Sequence, residues 1–482
     1  MKPFYITTTL PYVNSDPHFG FAVEIIRADI IARWKRELGH EVFFNTGTDE
    51  HGIKIYRKAT EQGIDPQTYV DGFSKQFRVL RELLDLSWNN FVRTTDPHHI
   101  AAAEKFWTIV NERGYIYKKF YSIKYCVGCE LEKTDSELVD GKCPIHPTYE
   151  LELINEENYF FKASAFQAQL LELYKRPLVL PDSRLGEVRA FVERGVEDFS
   201  ISRLASKMPW GVPVPNDPAQ VMYVWFDALV SYLSAIGWPE NTTSFEKWWP
   251  AVQYCGKDNL RQQSAMWQSM LAAAGLPFSE KIIINGFIVS DGKKMSKSIG
   301  NVISPADVVA EFGVDAVRYY VARRVSPFED SDVTMDKIRD AFNADLANGL
   351  GNLVSRTIKM AATYGVTVSR EHWAEVEMNL KASSAYAEYA GHLDSYNIQL
   401  ASDVIWNDIT KLDIFIQEKK PFIKVKTDPE GAKADLVYVL DALWGIAVYL
   451  RPIMPSTSEK IAESLRTMSL AEGLFPRKDV KK

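Results

Sequence analysis

The chain has 482 residues, 46% of them hydrophobic, with 56 Lys and Arg against 63 Asp and Glu for a net charge of −7. That balance describes a globular chain and excludes polyanion binding by bulk charge, so any nucleic-acid contact must come from a local basic surface. Four cysteines exclude a disulfide scaffold, no apolar run is long enough to span a bilayer, and Met1-Lys2-Pro3-Phe4-Tyr5-Ile6 is neither a signal nor a transit peptide. A cytoplasmic protein of roughly three domains is expected.

A β-type run over 4–9 opens the chain, and the prolines and small polar residues of Leu10-Pro11-Tyr12-Val13-Asn14-Ser15-Asp16-Pro17 forbid regular structure after it. A helix is predicted next. Ala22, Ile25, Ile26, Ile30 and Trp34 form its apolar face, Arg27, Asp29, Arg33, Lys35 and Arg36 its wet face, and Gly39 ends it. Strand, turn and helix N-terminus make a nucleotide site in a doubly wound sheet, because the helix offers free N–H groups and a positive dipole to phosphate. His18-Phe19-Gly20-Phe21 lies at that N-terminus, where Gly20 allows close approach and His18 can donate to a phosphate oxygen. Taken alone, the same His-x-Gly is more often an ordinary helix entry. The apolar run over 42–44 leads into the loop Asn45-Thr46-Gly47-Thr48-Asp49-Glu50-His51-Gly52, where Asp49 reads by itself as an Asx turn.

From about residue 114 to 218 the alternation of strand and helix stops. Cys126, Cys129, Cys143 and His146 fall in the pattern C-x2-C-x13-C-x2-H and use three of the four cysteines, leaving Cys255. Two close pairs on separate knuckles can meet tetrahedrally around zinc in a closed structural site, one ion per chain. The apolar stretch over 222–232 is predicted to pass from strand into helix, bringing Trp225, Ala228 and Tyr232 together; such aromatic spacing also suits plain core. Another short strand is expected over 252–255, followed by a helix that Asp258 can N-cap.

Asp291-Gly292-Lys293-Lys294-Met295-Ser296-Lys297-Ser298-Ile299-Gly300-Asn301 follows an apolar run over 282–289. Asp-Gly marks a tight turn, Gly292 and Gly300 let the backbone yield to a ligand, and Lys294 and Lys297 carry point charges suited to phosphate. A solvated lysine-rich turn is the plain alternative. Beyond residue 341 strand signals vanish, and helical periodicity over 341–360, 382–417, 432–449 and 456–465 predicts a bundle.

Lys-Met-Ser-Lys-Ser resembles the second signature of class I aminoacyl-tRNA synthetases. His18-Phe19-Gly20-Phe21 is similar to their first, with Phe21 where the family usually has a second His. Thr8-Thr9-Leu10-Pro11-Tyr12-Val13-Asn14, the zinc pattern, Trp210-Gly211-Val212-Pro213 and the Trp225 stretch resemble the methionyl branch. The resemblance covers almost the whole chain. It implies a Rossmann-type doubly wound parallel sheet split by a zinc-knuckle insertion and followed by an α-helical bundle. The implied division is a first catalytic half over 1–113, the insertion over 114–218, a second half over 219–285, a loop and linker over 286–340, and an anticodon-binding domain over 341–482.

The implied activity is ligation of methionine to tRNA(Met) through methionyl-adenylate, with Mg²⁺ accompanying ATP and no protein nucleophile. By resemblance, His18, Lys294 and Lys297 are catalytic, and Gly20, Glu24, Gly256, Asp258, Phe287 and Ile288 join them at ATP. Thr9, Leu10, Tyr12, Asp49, Trp225, Ala228, Tyr232, Asn259, Gln263 and Trp267 match the methionine pocket, with Asp49 on the amino group and Asp258 on the ribose. Asn259 and Gln263 stand where an aliphatic residue and a histidine are usual, and Gln263 is expected to hydrogen-bond Tyr232. Asn352, Arg356 and Phe422 match anticodon contacts. The absence of a further C-terminal domain leads to the expectation of a monomer. The altered positions keep open two other functions, a ligase for another amino acid and a repurposed tRNA-binding paralogue.

Overall fold

The computed structural model describes residues 1–133, 135–295, 301–470 and 472–479. The chain forms two compact units: Met1–Pro17, His40–Arg81 and Trp88–Asn285 make the first, and His18–Gly39, Glu82–Ser87 and Gly286–Lys482 the second.

A six-stranded sheet organises the first unit. Its spatial order is Asn90–Arg93, Glu41–Thr48, Pro3–Thr7, Val252–Gly256, Lys281–Asn285, Val179–Leu180, and every neighbouring pair is parallel. The central strands are rich in Ile, Val, Tyr and Phe because a parallel sheet is covered on both faces. Chain order reverses direction between Pro3–Thr7 and Val252–Gly256, and in such sheets ligands bind beyond the carboxyl ends of the strands at that switch. An aromatic core that includes Phe106, Trp107, Phe226, Trp238, Trp249 and Trp267 packs beside it.

The region that lacks βα rhythm is built on antiparallel pairing. Ile116–Cys126 runs against Glu152–Phe161 over ten residue pairs, with Leu131–Lys133 and Phe199–Ser200 on either side. The same stretch of chain also supplies Val179–Leu180, the edge strand of the parallel sheet.

In the second unit the helix Phe19–Glu37 departs from its expected amphipathic form: Arg27 is 1% exposed and Asp29 fully buried. Both polar groups are satisfied inside. Arg27 donates to the carbonyls of Val325, Ser326 and Pro327, while Asp29 pairs with Arg318 at 2.8 Å and Arg33 at 2.7 Å. Burial works against the Asp29 carboxylate, but the two guanidiniums outweigh it and its pKa is lowered. Among the described residues, every regular element after Ser331–Asp332 is a helix, the last being Pro455–Thr467. The expected helix over 382–417 is two, Ser384–Asp394 and Ile398–Lys419, and Arg370–Lys381 is a helix that periodicity did not signal. Serine at 369 and 383 and asparagine at 397 cap these three N-termini with their side chains.

Candidate active site and metal centre

Residues after the carboxyl ends of the sheet strands build the candidate pocket. Thr9 leaves Pro3–Thr7 with its N–H on the Tyr254 carbonyl at 3.1 Å, and Thr9 and Leu10 are half-buried. Tyr12 pairs with Asp49 as an isolated parallel bridge: Asp49 N–H donates to Pro11 O at 3.0 Å and Val13 N–H to Asp49 O at 3.3 Å. This bridge brings the two expected pocket residues together from loops following adjacent strands.

Asp49 is 4% exposed, its Oδ1 has no hydrogen-bond partner, and the buried Tyr12 Oη has none either. Burial first, then the like charges of Asp227 and Glu130, push the Asp49 carboxyl well above its ordinary range, against a donated bond from the His51 backbone N–H. A site with that electrostatic character favours a cation.

Trp225 and Ala228 lie on the helix Val224–Leu229, and Tyr232 on the short helix Ser231–Ser234. Tyr232 is held at three places. Tyr5 Oη donates to its carbonyl at 2.9 Å, Trp267 meets its ring edge-on at 6.0 Å, and Gln263 Nε2 donates to its hydroxyl at 2.7 Å. The contact expected between Gln263 and Tyr232 is therefore present. Gln263 sits in a π-helical turn, Gln262–Met266, which departs from regular helix at this point of the chain. Asn259 is half-buried, whereas Asp258 is exposed inside the tight turn Lys257–Asn259 that follows Gly256.

The expected capping by Asp258 is not found. Gly256 occupies the cap position, no side chain bonds there, and the Asp258 carboxylate folds back so that a Cβ on Gly256 would lie 2.7 Å from Oδ1.

The remaining candidates belong to the second unit. His18 is exposed at the N-cap of Phe19–Glu37, its carbonyl accepting from the N–H groups of Phe21 and Ala22. Its ring lies over Gly20, where a Cβ would come within 2.9 Å of it; Glu24 is buried one turn on. Phe287 and Ile288 are half-buried, and Ile288–Ser290 pairs antiparallel with Lys293–Lys294. Asp291 at φ 53° and Gly292 at φ 69° make the turn, as the Asp-Gly pair predicts. Lys297 lies outside the described residues, and of Lys294 only the backbone is described. Asn352 is exposed and Arg356 half-buried on the helix Asn352–Thr363, with Arg356 paired to Asp413 at 2.7 Å. Phe422, 45% exposed, lies on Pro421–Lys424.

Cys126, Cys129, Cys143 and His146 converge, their ligand atoms all within 4.8 Å of one another. Cys129 Sγ is 3.4 Å from Cys143 Sγ and 3.2 Å from His146 Nδ1. Metal–sulfur bonds of about 2.3 Å in a tetrahedron separate sulfurs by roughly 3.8 Å, so the donors fit an ion with small adjustment. Gly128 makes this approach possible, since a Cβ there would sit 2.6 Å from the His146 ring. These four residues can hold a metal ion.

Sequence reading missed a buried group beside the pocket: Asp227 bonds His51 Nδ1 at 2.6 Å and His99 Nε2 at 2.7 Å. No local motif marks it, because its members stand 176 and 128 positions from Asp227.

A parallel sheet with candidate pocket residues at its switch point, a Cys3His insertion and a helical C-terminal part agree with the architecture that the resemblance to class I aminoacyl-tRNA synthetases implies. The family described as tRNA synthetases class I (M) matches residues 4–152 and 146–358, and the anticodon binding domain of methionyl tRNA ligase matches 368–480. Methionine–tRNA ligase of Thermosynechococcus vestitus is 40% identical over 96% of this chain and 90% of its own, and that of Thermotoga maritima 38% over 95% and 74%. Methionyl-tRNA synthetase of Mycobacterium tuberculosis in complex with methionyl-adenylate superposes with a TM-score of 0.90 at 32% identity, covering 99% of this chain and all of that one. The chain belongs to the methionyl-tRNA synthetase family.

Proposed function

We propose that the protein activates L-methionine with MgATP to methionyl-adenylate and pyrophosphate, and then transfers the methionyl group to the 3′ end of tRNA(Met). The observation that carries this reading is Asp49, a buried carboxylate with an unpartnered oxygen, bridged to Tyr12 at the carboxyl end of the sheet. A carboxylate in such surroundings suits an ammonium group, and the aromatic residues Trp225, Tyr232 and Trp267 suit an unbranched thioether, with sulfur–aromatic contacts worth about 1 kcal/mol.

In the first step a methionine carboxylate oxygen attacks the α-phosphorus and pyrophosphate leaves. In the second a terminal ribose hydroxyl of tRNA attacks the acyl carbon and AMP leaves. Neither step needs a protein nucleophile, so positioning and charge stabilisation carry both. Asp49 anchors the amino group, Thr9, Leu10, Ala228, Asn259 and Gln263 complete the pocket, and Asp258 holds the ribose. Gly20, Glu24, Gly256, Phe287 and Ile288 receive the rest of the nucleotide, while His18, Lys294 and Lys297 offset phosphate charge. Zinc is the ion assigned to the Cys3His site, in a structural role, since thiolate and imidazole suit it and four protein ligands leave no open position. Asn352, Arg356 and Phe422 are assigned to the anticodon. We assign the five-part division over 1–113, 114–218, 219–285, 286–340 and 341–482, and a monomeric cytoplasmic enzyme. No helix among the described residues is long and apolar enough to cross a membrane.

Exchange of labelled pyrophosphate into ATP, measured with each amino acid in turn, tests the reading. Methionine should support the fastest exchange. Faster exchange with another amino acid would overturn the specificity, and exchange with none would indicate a repurposed tRNA-binding protein.

A further inference from the structure

Asp227 is fully buried in the first turn of Val224–Leu229, between the pocket residues Trp225 and Ala228 in sequence. Its two oxygens are taken by two imidazoles from different elements. His51, in the loop after Glu41–Thr48, contacts Oδ2 at 2.6 Å, and His99, on the helix Pro97–Glu112, contacts Oδ1 at 2.7 Å. His99 Nδ1 meets Ser234 Oγ at 3.0 Å, and the Trp210 ring stands edge-on to His51 at 5.6 Å. Burial alone would raise the Asp227 pKa, but the imidazoles of His51 and His99 outweigh it and bring it down to about 2, so the group is a carboxylate at working pH.

His51 also serves the other carboxylate. It stands two residues after Asp49 in the same loop while its ring bonds Asp227, so one short segment carries the first carboxylate and holds the second, and their charges act on each other. A fully buried aspartate held by two histidines is an expensive way to fill a core, because apolar residues of the same volume are often as stable or more so. Beside it stands an aspartate with an orphaned oxygen, and two neighbouring negative charges suit a cation bound at the open one.

We propose that Asp227, held by His51 and His99, is a positioning residue of the amino-group site: it supplies a second fixed negative charge for the substrate ammonium and, through His51, sets the Asp49 carboxylate. The proposal rests on the amino-acid-activating function above. It predicts that the network acts on the amino group of the substrate and not on the thioether or the nucleotide.

Asp227→Asn keeps the side-chain shape and removes the charge. The Michaelis constant for methionine in pyrophosphate exchange should rise about 30-fold, the size expected for losing a buried charged contact, with that for ATP unchanged. The discriminating probe is 4-methylthiobutanoate, which is methionine without its amino group. As a competitive inhibitor it should bind Asp227→Asn within twofold of the unaltered protein. Equal weakening of methionine and 4-methylthiobutanoate would show a purely structural role and overturn the proposal, as would an unchanged methionine constant. Should Asp227→Asn fail to fold, His99→Gln serves instead, with an expected methionine-selective loss of about fivefold and the same overturning outcomes. Absence of methionine-dependent exchange in the unaltered protein would remove the function itself, and this inference with it.

Discussion

The Cys3His cluster, drawn from the single stretch 126–146, and the candidate pocket, drawn from loops and helices between residues 9 and 267, are built in the same unit, yet they leave their polar groups in opposite conditions. In the cluster, three sulfurs and an imidazole nitrogen are drawn within 4.8 Å of one another, an arrangement that a bound cation reconciles. In the pocket, Asp49 Oδ1, Tyr12 Oη, Trp225 Nε1 and Trp267 Nε1 are buried and have no partner. The converging donors can share one ion, whereas the pocket groups leave hydrogen-bonding capacity that a ligand or water can take up. Glu130 joins the two regions. It follows Cys129, accepts from Tyr125 Oη at 2.7 Å and the Lys54 N–H at 2.9 Å, and its charge acts on Tyr12 and Asp49.

The metal carries the largest expected effect, because structural zinc sites bind with apparent free energies on the order of 10 kcal/mol or more. Protein purified without chelator should contain about one zinc per chain. Cys143→Ser should lose it, and amide protection across the Ile116–Cys126 and Glu152–Phe161 pairing should fall, while Cys255→Ser keeps both. Zinc retained by Cys143→Ser would break the contrast between permanent and transient occupants.

Next in size is Asp49→Asn. An ammonium group left without its buried counter-charge costs about 4 kcal/mol, so the methionine constant in exchange should rise roughly a thousandfold with zinc content unchanged. A rise below tenfold would mean that the orphaned oxygen does not mark the amino-group site. Smaller again is Glu130→Ala, which leaves two donors without their acceptor at about 1 kcal/mol each. It should raise the methionine constant about tenfold and leave zinc bound, because Glu130 supports both regions but completes neither. Loss of zinc in this variant would show the two regions to be one cooperative structure.

Legibility in the sequence divided along similar lines. Strands Pro3–Thr7 and Val252–Gly256 were expected within one or two residues, since short β-type runs bounded by proline or glycine carry their own signal. The Cys3His cluster was legible because a knuckle writes its spacing locally. The Asp227 network was not: a histidine in a loop, another on a helix and an aspartate within an aromatic run form no pattern until the fold assembles them. Periodicity misled at Phe19–Glu37, where Arg27 and Asp29 occupy a helically polar face that other parts of the same unit bury through ion pairs and carbonyl contacts. The π-helical turn at Gln262–Met266 also left no trace, because its residues are acceptable in any helix.

The smallest effect concerns Gln263, and it distinguishes a pocket shaped by contacts to the ligand from one shaped by contacts between its own walls. Tyr232 is fixed through its carbonyl by Tyr5 and along its ring edge by Trp267, so the bond from Gln263 Nε2 adds orientation of the hydroxyl end more than retention of the ring. Gln263 is itself restrained, its Oε1 accepting from Gln253 Nε2 at 3.4 Å and its backbone carbonyl from Gln268 Nε2 at 2.9 Å. Gln263→Ala therefore removes two neutral hydrogen bonds, of which the one to Tyr232 is worth about 1 kcal/mol, and opens space behind Tyr232. Discrimination by shape between side chains that differ by a methylene is itself worth only about 1–3 kcal/mol, so a wall that gives slightly should cost a visible part of it. The ratio of exchange rates with methionine and leucine should fall about fivefold, with the ATP constant and zinc content unaltered. A uniform loss with both amino acids would mean that Gln263 supports the fold of the π-helical turn and takes no part in selection.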